Sequence, residues 1–287
     1  PKPADCAREG FARLYQRAWA TGILPLRHPW LVDQQDHLLG LNVMMREEND
    51  GWAPRGHEHS FERVQVAEWL RLSAERIPPA ALPGGRRCLD WDSGSYLRHF
   101  FREHCRYIDV LTYHEDPSEW RMETGSAGDR KYFADIHRGD AVIPANSTDL
   151  VVAAQVFEHI RKPHLAMEQL FRLLAPGGFV SWAAPLFSEV HGAPEDYWRF
   201  TPSGAQALAE DAGFLVPLVY APGGLRELAG YQLGMTAPYW RKEDVLADSS
   251  SSWPLQVYML LQKPRTAMPN NQQAGSLRDW RAGRYHP

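Results

Sequence analysis

Short apolar segments alternate with helix-length stretches along most of the chain, and no other feature restricts the fold as strongly. The strand candidates, most of them bounded by Gly or Pro turns, are residues 88–91, 106–112, 131–134, 149–154, 179–184, 214–220 and 253–262. Helical spacing of apolar residues is found over 60–77, 96–104, 163–174 and 201–212. Strands separated by helices favour parallel pairing, because a crossover must return the chain before the next strand begins. The sequence therefore predicts an α/β fold, a doubly wound, Rossmann-like, seven-stranded and mostly parallel sheet with helices on both faces.

The alternating pattern does not extend to the ends of the 287-residue chain. We predict an N-terminal extension over 1–56, a domain over 57–264 and an irregular C-terminal tail over 265–287, which is rich in Pro, Asn, Gln and Gly. Aromatic anchors are enriched in protein interfaces, so tryptophans in the extensions suggest a protein complex formed through both ends. The alternative is that the N-terminal extension covers a pocket of its own chain. The tryptophans concerned are Trp19, Trp30, Trp52 and Trp280.

Composition and charge restrict the partners. A net charge of −4 gives no basic surface for phosphate contacts, so dedicated nucleic-acid binding is not expected. The longest apolar runs, such as Leu150–Phe157, are too short for a transmembrane segment.

The start of the sequence carries no signal peptide but begins at Pro1, so we expect a soluble protein, cytoplasmic or organellar. Cys88 and Cys105 lie in apolar segments and are predicted to be unreactive core thiols.

Two runs of residues carry a family resemblance. The first is Asp149-Leu-Val-Val-Ala-Ala-Gln-Val-Phe-Glu-His159, continued by Leu170-Phe-Arg-Leu-Leu-Ala-Pro-Gly-Gly-Phe-Val180. The second is His191-Gly-Ala-Pro-Glu-Asp-Tyr-Trp-Arg-Phe-Thr-Pro202, followed by Ala212-Gly-Phe214. From Arg86 to about Pro264 the chain resembles the class I S-adenosylmethionine (AdoMet)-dependent methyltransferases, and within them the methyltransferase type 11 group. The resemblance implies AdoMet as cofactor and a methyl acceptor that the sequence does not identify.

The resemblance also implies where the cofactor lies, since ligands of doubly wound sheets bind at the carboxyl ends of the strands. The cofactor-binding residues it implies are Asp90, Asp92, Gly94, Asp135, Ile136 and Gln155. Asp92 and Tyr96 replace two of the three glycines that the family has in its first loop. The family's ribose-binding acid is also missing, because Asp109 comes too early and Glu115 or Asp116 too late.

The Glu158-His159 pair has two interpretations. In some quinone-ring O-methyltransferases of this fold, a Glu-x-x-Glu-His pattern supplies metal ligands, but Gln155 replaces the first Glu here. A neutral amide is a poorer ligand for a hard cation, so we predict no metal site. Instead, the pair is predicted to mark the turn into the next helix, with His159 hydrogen-bonded to backbone.

The loop after the fifth predicted strand overhangs the substrate site in this fold. A His near an Asp can act as a general base for an oxygen or nitrogen nucleophile, which makes His191 and Asp196 candidate catalytic residues. His159 is a third candidate. Tyr197, Trp198 and Phe200 are predicted to form a packing latch instead.

Two hypotheses of different class follow. One is an AdoMet-dependent methyltransferase acting on a small molecule or a protein. The other is a catalytically inactive methyltransferase-fold subunit with a structural or assembly role in a larger complex, which the altered loop and the tryptophan-bearing extensions favour.

Overall fold

The computed structural model describes residues 61–78, 85–91, 95–125, 127–192, 195–232, 246 and 253–266. The predicted extension over 1–56 and nearly all of the predicted tail over 265–287 lie outside these residues. The predictions for the four tryptophans of the extensions, and for Asp92 and Gly94, therefore stay predictions.

The sheet has the predicted doubly wound architecture. Its strands are β1 (Arg86–Trp91), β2 (Cys105–Tyr113), β3 (Arg121–Thr124), β4 (Arg130–Ala134), β5 (Thr148–Ala154), β6 (Leu174–Pro185), β7 (Leu215–Tyr220) and β8 (Gln256–Gln262). Their order across the sheet is β3-β4-β2-β1-β5-β6-β8-β7. The five central strands, from β4 to β6, pair in parallel, whereas β3, β8 and β7 join in antiparallel pairs. The prediction of seven strands was one short, because every residue of β3 is exposed and this edge strand has no apolar pattern to reveal it.

Helices cover both faces of the sheet, as predicted. They are α1 (Phe61–Arg76), α2 (Ser95–Phe100), α3 (Pro163–Leu173), α4 (Pro202–Asp211) and α5 (Leu225–Gln232). Trp69 of α1 and Leu97 of α2 belong to one buried core, and Leu170 of α3 and Ala205 of α4 belong to the other. Strand side chains alternate between the two cores, which explains the nearly continuous apolar character of β5. None of the described helices combines the length and the apolar character needed to cross a bilayer.

Local signals in the sequence fix the start of α3, at Pro163, and the start of α4. The Thr201 hydroxyl accepts a hydrogen bond from the Gly204 N–H at 3.1 Å, and Pro202 occupies the first turn of α4. The predicted Pro176-Gly177-Gly178 break lies inside β6, since α3 already ends at Leu173. A side chain at Gly178 would lie 2.9 Å from the Ala175 carbonyl oxygen, so only glycine fits there.

Cys88 and Cys105 form a disulfide, so the prediction of two free thiols was wrong. The residues are 17 positions apart in sequence, and their Cα atoms lie 5.8 Å apart, within the range that a disulfide spans. Parallel pairing of β1 with β2 brings Cys88 near the start of β2. This proximity depends on the crossover through α2, and a pattern of apolar residues does not encode it.

Candidate functional site

A cavity of about 570 Å³ opens at the carboxyl ends of the central strands. Trp91 is the last residue of β1, Tyr113 of β2 and Ala134 of β4, while Gln155 follows β5 directly, and all four line the cavity. This is the edge at which doubly wound sheets bind ligands. The volume lies within the range of roughly 300–1,000 Å³ typical of small-molecule sites.

Gln155 adopts an unusual backbone conformation at the cavity wall. Its φ of +57° lies in the left-handed region, which residues other than glycine rarely occupy. The backbone N–H donates to the Ala183 carbonyl at 2.9 Å, and the side-chain Nε2 donates to the Gln256 Oε1 at 2.7 Å. These two bonds hold the turn that leads from β5 to the Glu158-His159 pair. Strained residues of this kind are frequent at functional sites.

Asp135 and His137 form the wall beyond β4. The Asp135 Oδ1 accepts from the His137 backbone N–H at 2.9 Å and lies 2.6 Å from the His137 Nδ1. The opposite ring nitrogen, Nε2, accepts from the Lys162 backbone N–H at 3.1 Å. The His137 ring therefore carries its proton on Nδ1 and connects the β4 wall of the cavity to the start of α3.

Asp90, a predicted cofactor contact, is not among the residues that line the cavity. It is buried, and its carboxylate accepts from the backbone N–H groups of Trp91 at 2.8 Å and Leu97 at 3.4 Å. Burial raises the pKa of Asp90 to about 6, although these hydrogen bonds act in the opposite direction. The carboxylate is thus directed to the beginning of α2, a role in local structure that the resemblance did not distinguish from cofactor contact.

The three acids considered for the ribose position have different surroundings. Asp109 is buried and pairs with the Arg87 guanidinium, with 2.6 Å between Oδ1 and Nη1. Asp116 accepts from the Ser118 N–H at 2.9 Å and begins a short 3₁₀ turn. Of the three, only Glu115 lines the cavity.

Glu158 and His159 follow the Gln155 turn, as predicted, but only His159 reaches the cavity wall. The His159 Nδ1 lies 2.7 Å from the Glu195 carbonyl oxygen, which agrees with the predicted bond to backbone. The Glu158 side chain is completely buried, and among the described residues no hydrogen bond to either carboxylate oxygen is found. Burial raises the pKa of Glu158 to about 7.

His191 and Asp196 lie behind His159 and do not line the cavity. The Asp196 carboxylate forms a bidentate ion pair with the Arg199 guanidinium, with oxygen–nitrogen distances of 2.5 and 2.7 Å. This pair lowers the pKa of Asp196 to about 2. Asp196 also accepts from the His191 backbone N–H at 2.9 Å, and the His191 ring packs edge-on to the His159 ring at 4.9 Å. Their assignment as catalytic residues remains a prediction.

The predicted latch divides into a buried part and an exposed part. Phe200 is buried and packs edge-on against Trp182, with 5.4 Å between the ring centroids. Tyr197 and Trp198 are both nearly half exposed, and Tyr197 lines the cavity. Sequence reasoning identified the packing role of Phe200 and missed the position of Tyr197.

The structure brings together part of the predicted site. Asp135, Ile136, Gln155 and His159 all line the cavity. Sequence reasoning missed other wall residues, namely Trp91, Tyr113, His137, Arg138, Lys162 and Leu165. Trp91 and Tyr113 end strands at the binding edge, so their positions gave a signal, whereas nothing in the sequence pattern indicated the bridge through His137.

Residues 93–181 match a family model that describes a methyltransferase domain of type 11. No curated protein matches the chain in sequence. Among solved structures, the [4+2]-cyclase SpnF is 18% identical over 82% of this chain and 95% of its own, with a TM-score of 0.47. A chain from the complex between the Haloferax volcanii Trm112 methyltransferase activator and a methyltransferase is 18% identical over 78% of this chain and 100% of its own, with a TM-score of 0.47.

An AdoMet-dependent methyltransferase from Mesorhizobium loti is 13% identical over 69% of this chain and 98% of its own, with a TM-score of 0.44. The matched segment 93–181 runs from the loop after β1 into β6 and includes most of the cavity wall. The segment 93–181 is therefore similar to a methyltransferase domain of type 11, and the doubly wound sheet has its cavity at the edge where such sheets bind ligands.

Proposed function

We propose that this protein binds AdoMet in the cavity and transfers its methyl group to an acceptor that enters beside His159. The observation that supports this most strongly is the position of the cavity. It opens where β1, β2, β4 and β5 end, and most of its wall belongs to the segment that matches the methyltransferase model.

The described wall residues fit the adenosine half of AdoMet. Leu111, Ile136 and Val156 supply apolar surface for a planar base. Asp135 uses Oδ1 for its bonds to His137, which leaves Oδ2 to accept from an adenine amino group. Glu115 is the acid on the β2 side that can accept from ribose hydroxyls.

When bound, AdoMet supplies an electrophilic methyl group on a sulfonium. Transfer of this group requires mainly that the acceptor atom is held in line with it, so the contribution of the protein is alignment and exclusion of water. His159 and Tyr197 line the same cavity, and Tyr197 belongs to the loop after β6. The backbone N–H of Tyr197 donates to the Glu158 carbonyl at 2.7 Å, which fixes that loop next to the acceptor side.

The test is calorimetric titration of the full chain with AdoMet, comparing wild type with Leu165→Trp. Leu165 lines the cavity, so a larger side chain there should fill part of it and lower the affinity at least about tenfold. Leu225→Trp is the matched control, because Leu225 is 44% exposed on α5 and does not line the cavity.

Loss of affinity in Leu165→Trp alone would support the proposal. Wild-type protein that does not bind AdoMet would overturn it and favour the inactive subunit. Equal affinity in all three proteins would place the cofactor outside this cavity. Once binding is established, production of S-adenosylhomocysteine with candidate acceptors tests the transfer itself.

A further inference from the structure

Three side chains with metal-binding atoms converge behind the cavity wall. Glu158, His159 and His191 each offer one ligand atom, and the three atoms lie within 4.8 Å of one another. The Glu158 Oε1 and the His159 Nε2 are 3.7 Å apart. Two of these residues follow β5 and the third comes from the loop after β6, so the cluster depends on the fold and not on a local motif.

The Glu158 carboxylate lies near cationic side chains, with the His159 Nε2 3.7 Å away, but is not hydrogen-bonded to them. The side chain is completely buried, and both oxygens lack a hydrogen bond from any described residue. Arg199, the nearby cation, directs its guanidinium to both oxygens of Asp196. A buried carboxylate without hydrogen bonds is costly in free energy, and coordination to a cation is one of the ways to offset this cost.

Both histidines have a tautomer that leaves the Nε2 lone pair available to a metal ion. The His159 Nδ1 lies 2.7 Å from the Glu195 carbonyl oxygen, and the His191 Nδ1 lies 3.1 Å from the Glu189 carbonyl oxygen. A carbonyl oxygen can only accept, so each Nδ1 carries the proton and each Nε2 keeps a lone pair. Metal-binding histidines are usually oriented in this way, by donation from the other ring nitrogen to a backbone carbonyl or a carboxylate.

We propose that Glu158, His159 and His191 bind a divalent transition-metal ion of the Zn²⁺ type. Two imidazoles and one carboxylate are a common set of three protein ligands for Zn²⁺, with the fourth position left open. Imidazole donors favour Zn²⁺ and its transition-metal neighbours over Mg²⁺, which prefers oxygen ligands and several waters. The sequence prediction of no metal site considered Gln155 as the third ligand. The structure supplies His191 instead.

The metal site does not require AdoMet, but it lies next to the cavity through His159. If the proposed function holds, the open position of the ion is available to an oxygen or nitrogen atom of the acceptor. Metal binding is measured without AdoMet, so failure of the methyltransferase proposal would not affect the result.

The experiment uses the full chain without an affinity tag of histidines, freed of metal with a chelator and titrated with Zn²⁺ by calorimetry. Glu158→Gln removes the charge and keeps the shape, while His191→Gln alters a side chain that is 41% exposed and outside the buried core. His164→Gln is the control, because His164 is an exposed histidine on α3 outside the cluster. Circular dichroism without metal checks that every variant is folded.

We expect both cluster variants to lose about 100-fold or more in Zn²⁺ affinity at one site, and His164→Gln to retain it. Zn²⁺ should also raise the melting temperature of the wild type more than that of either cluster variant. Equal Zn²⁺ binding by the wild type and the two cluster variants would overturn the proposal. Preference for Mg²⁺ over Zn²⁺ in direct competition would overturn it as well.

Discussion

Asp90 and Asp196 are both buried carboxylates near the cavity, but they belong to regions with different means of holding a charge. Asp90, on the β1 side, accepts hydrogen bonds from the backbone N–H groups of Trp91 and Leu97. Asp196, on the loop after β6, faces the Arg199 guanidinium in a bidentate pair. The pKa of Asp90 is raised to about 6 by burial, and that of Asp196 is lowered to about 2 mainly by Arg199.

The loop on the β6 side of the cavity is held by an ion pair, whereas Asp90 on the β1 side accepts from backbone N–H groups. On the β6 side, an ion pair and the bond from Tyr197 to the Glu158 carbonyl hold the loop in place. On the β1 side, the Asp90 carboxylate accepts from backbone N–H groups and has the Arg98 charge nearby, but burial outweighs them and its ionisation costs free energy. The two carboxylates should therefore affect stability in opposite ways, because Asp90 lowers it as pH rises and Asp196 lowers it as pH falls.

The largest effect is expected for Asp90→Asn as a function of pH. Because the pKa is raised in the folded protein, the folded state binds more protons than the unfolded state between about pH 4 and pH 6. The stability of the wild type therefore falls in this window as pH rises, and asparagine removes this loss. As pH rises from 4 to 7, the free energy of unfolding of the variant should increase by about 2–3 kcal/mol relative to that of the wild type.

Denaturant titrations of both proteins at a series of pH values measure this difference, and taking the difference cancels the titration of all other groups. Asp196→Asn provides the opposite case. The lowered pKa of Asp196 means that its stabilisation is present above about pH 4 and is lost as pH falls toward 2. A difference between Asp90→Asn and wild type that stays constant from pH 4 to pH 7 would contradict the raised pKa.

At neutral pH, Asp196→Asn should lower the free energy of unfolding by about 2 kcal/mol, since it leaves the Arg199 guanidinium without its bidentate partner. The value is below that of a fully buried pair because the Arg199 side chain is 23% exposed. Glu123→Gln breaks the exposed pair with Arg121 and should change stability by less than about 0.5 kcal/mol. Similar losses in the two variants would show that the loop is not fixed by its ion pair.

The sequence predicted the fold well because its signals are local. The apolar run of β5, the first-turn proline of α3 and the Thr201-Pro202 start of α4 each depend on neighbours in sequence. The strand that escaped prediction, β3, is fully exposed, and the disulfide joins residues that only the crossover through α2 brings together. Both errors have the same physical cause, since neither the exposed strand nor the disulfide produces a periodic pattern of apolar residues in the sequence.

The candidate site was predicted less completely, because side-chain direction is not visible in sequence. Asp90 and Asp135 both lie next to strand ends, yet only Asp135 lines the cavity. His191 was predicted as a catalytic base and does not line the cavity, and its contacts with His159 and Glu189 support the proposed metal site. These distinctions depend on which backbone groups each side chain meets after folding, and they therefore required the structure.

The smallest effect is expected at Gln155, where backbone strain and a side-chain hydrogen bond can be separated. Gln155→Ala and Gln155→Gly both remove the bond from Nε2 to Gln256, but only glycine adopts the φ of +57° without steric cost. The glycine variant should therefore be more stable than the alanine variant by about 1 kcal/mol, as measured by denaturant unfolding.

Glu168, an exposed residue inside α3, supplies the matched control for this comparison. Alanine should be more stable than glycine there by about 1 kcal/mol, because a helix interior reverses the preference. If alanine were also the more stable replacement at Gln155, the left-handed turn would not be a source of strain. The geometry of the turn after β5 would then depend on the bonds of Gln155 to Ala183 and Gln256.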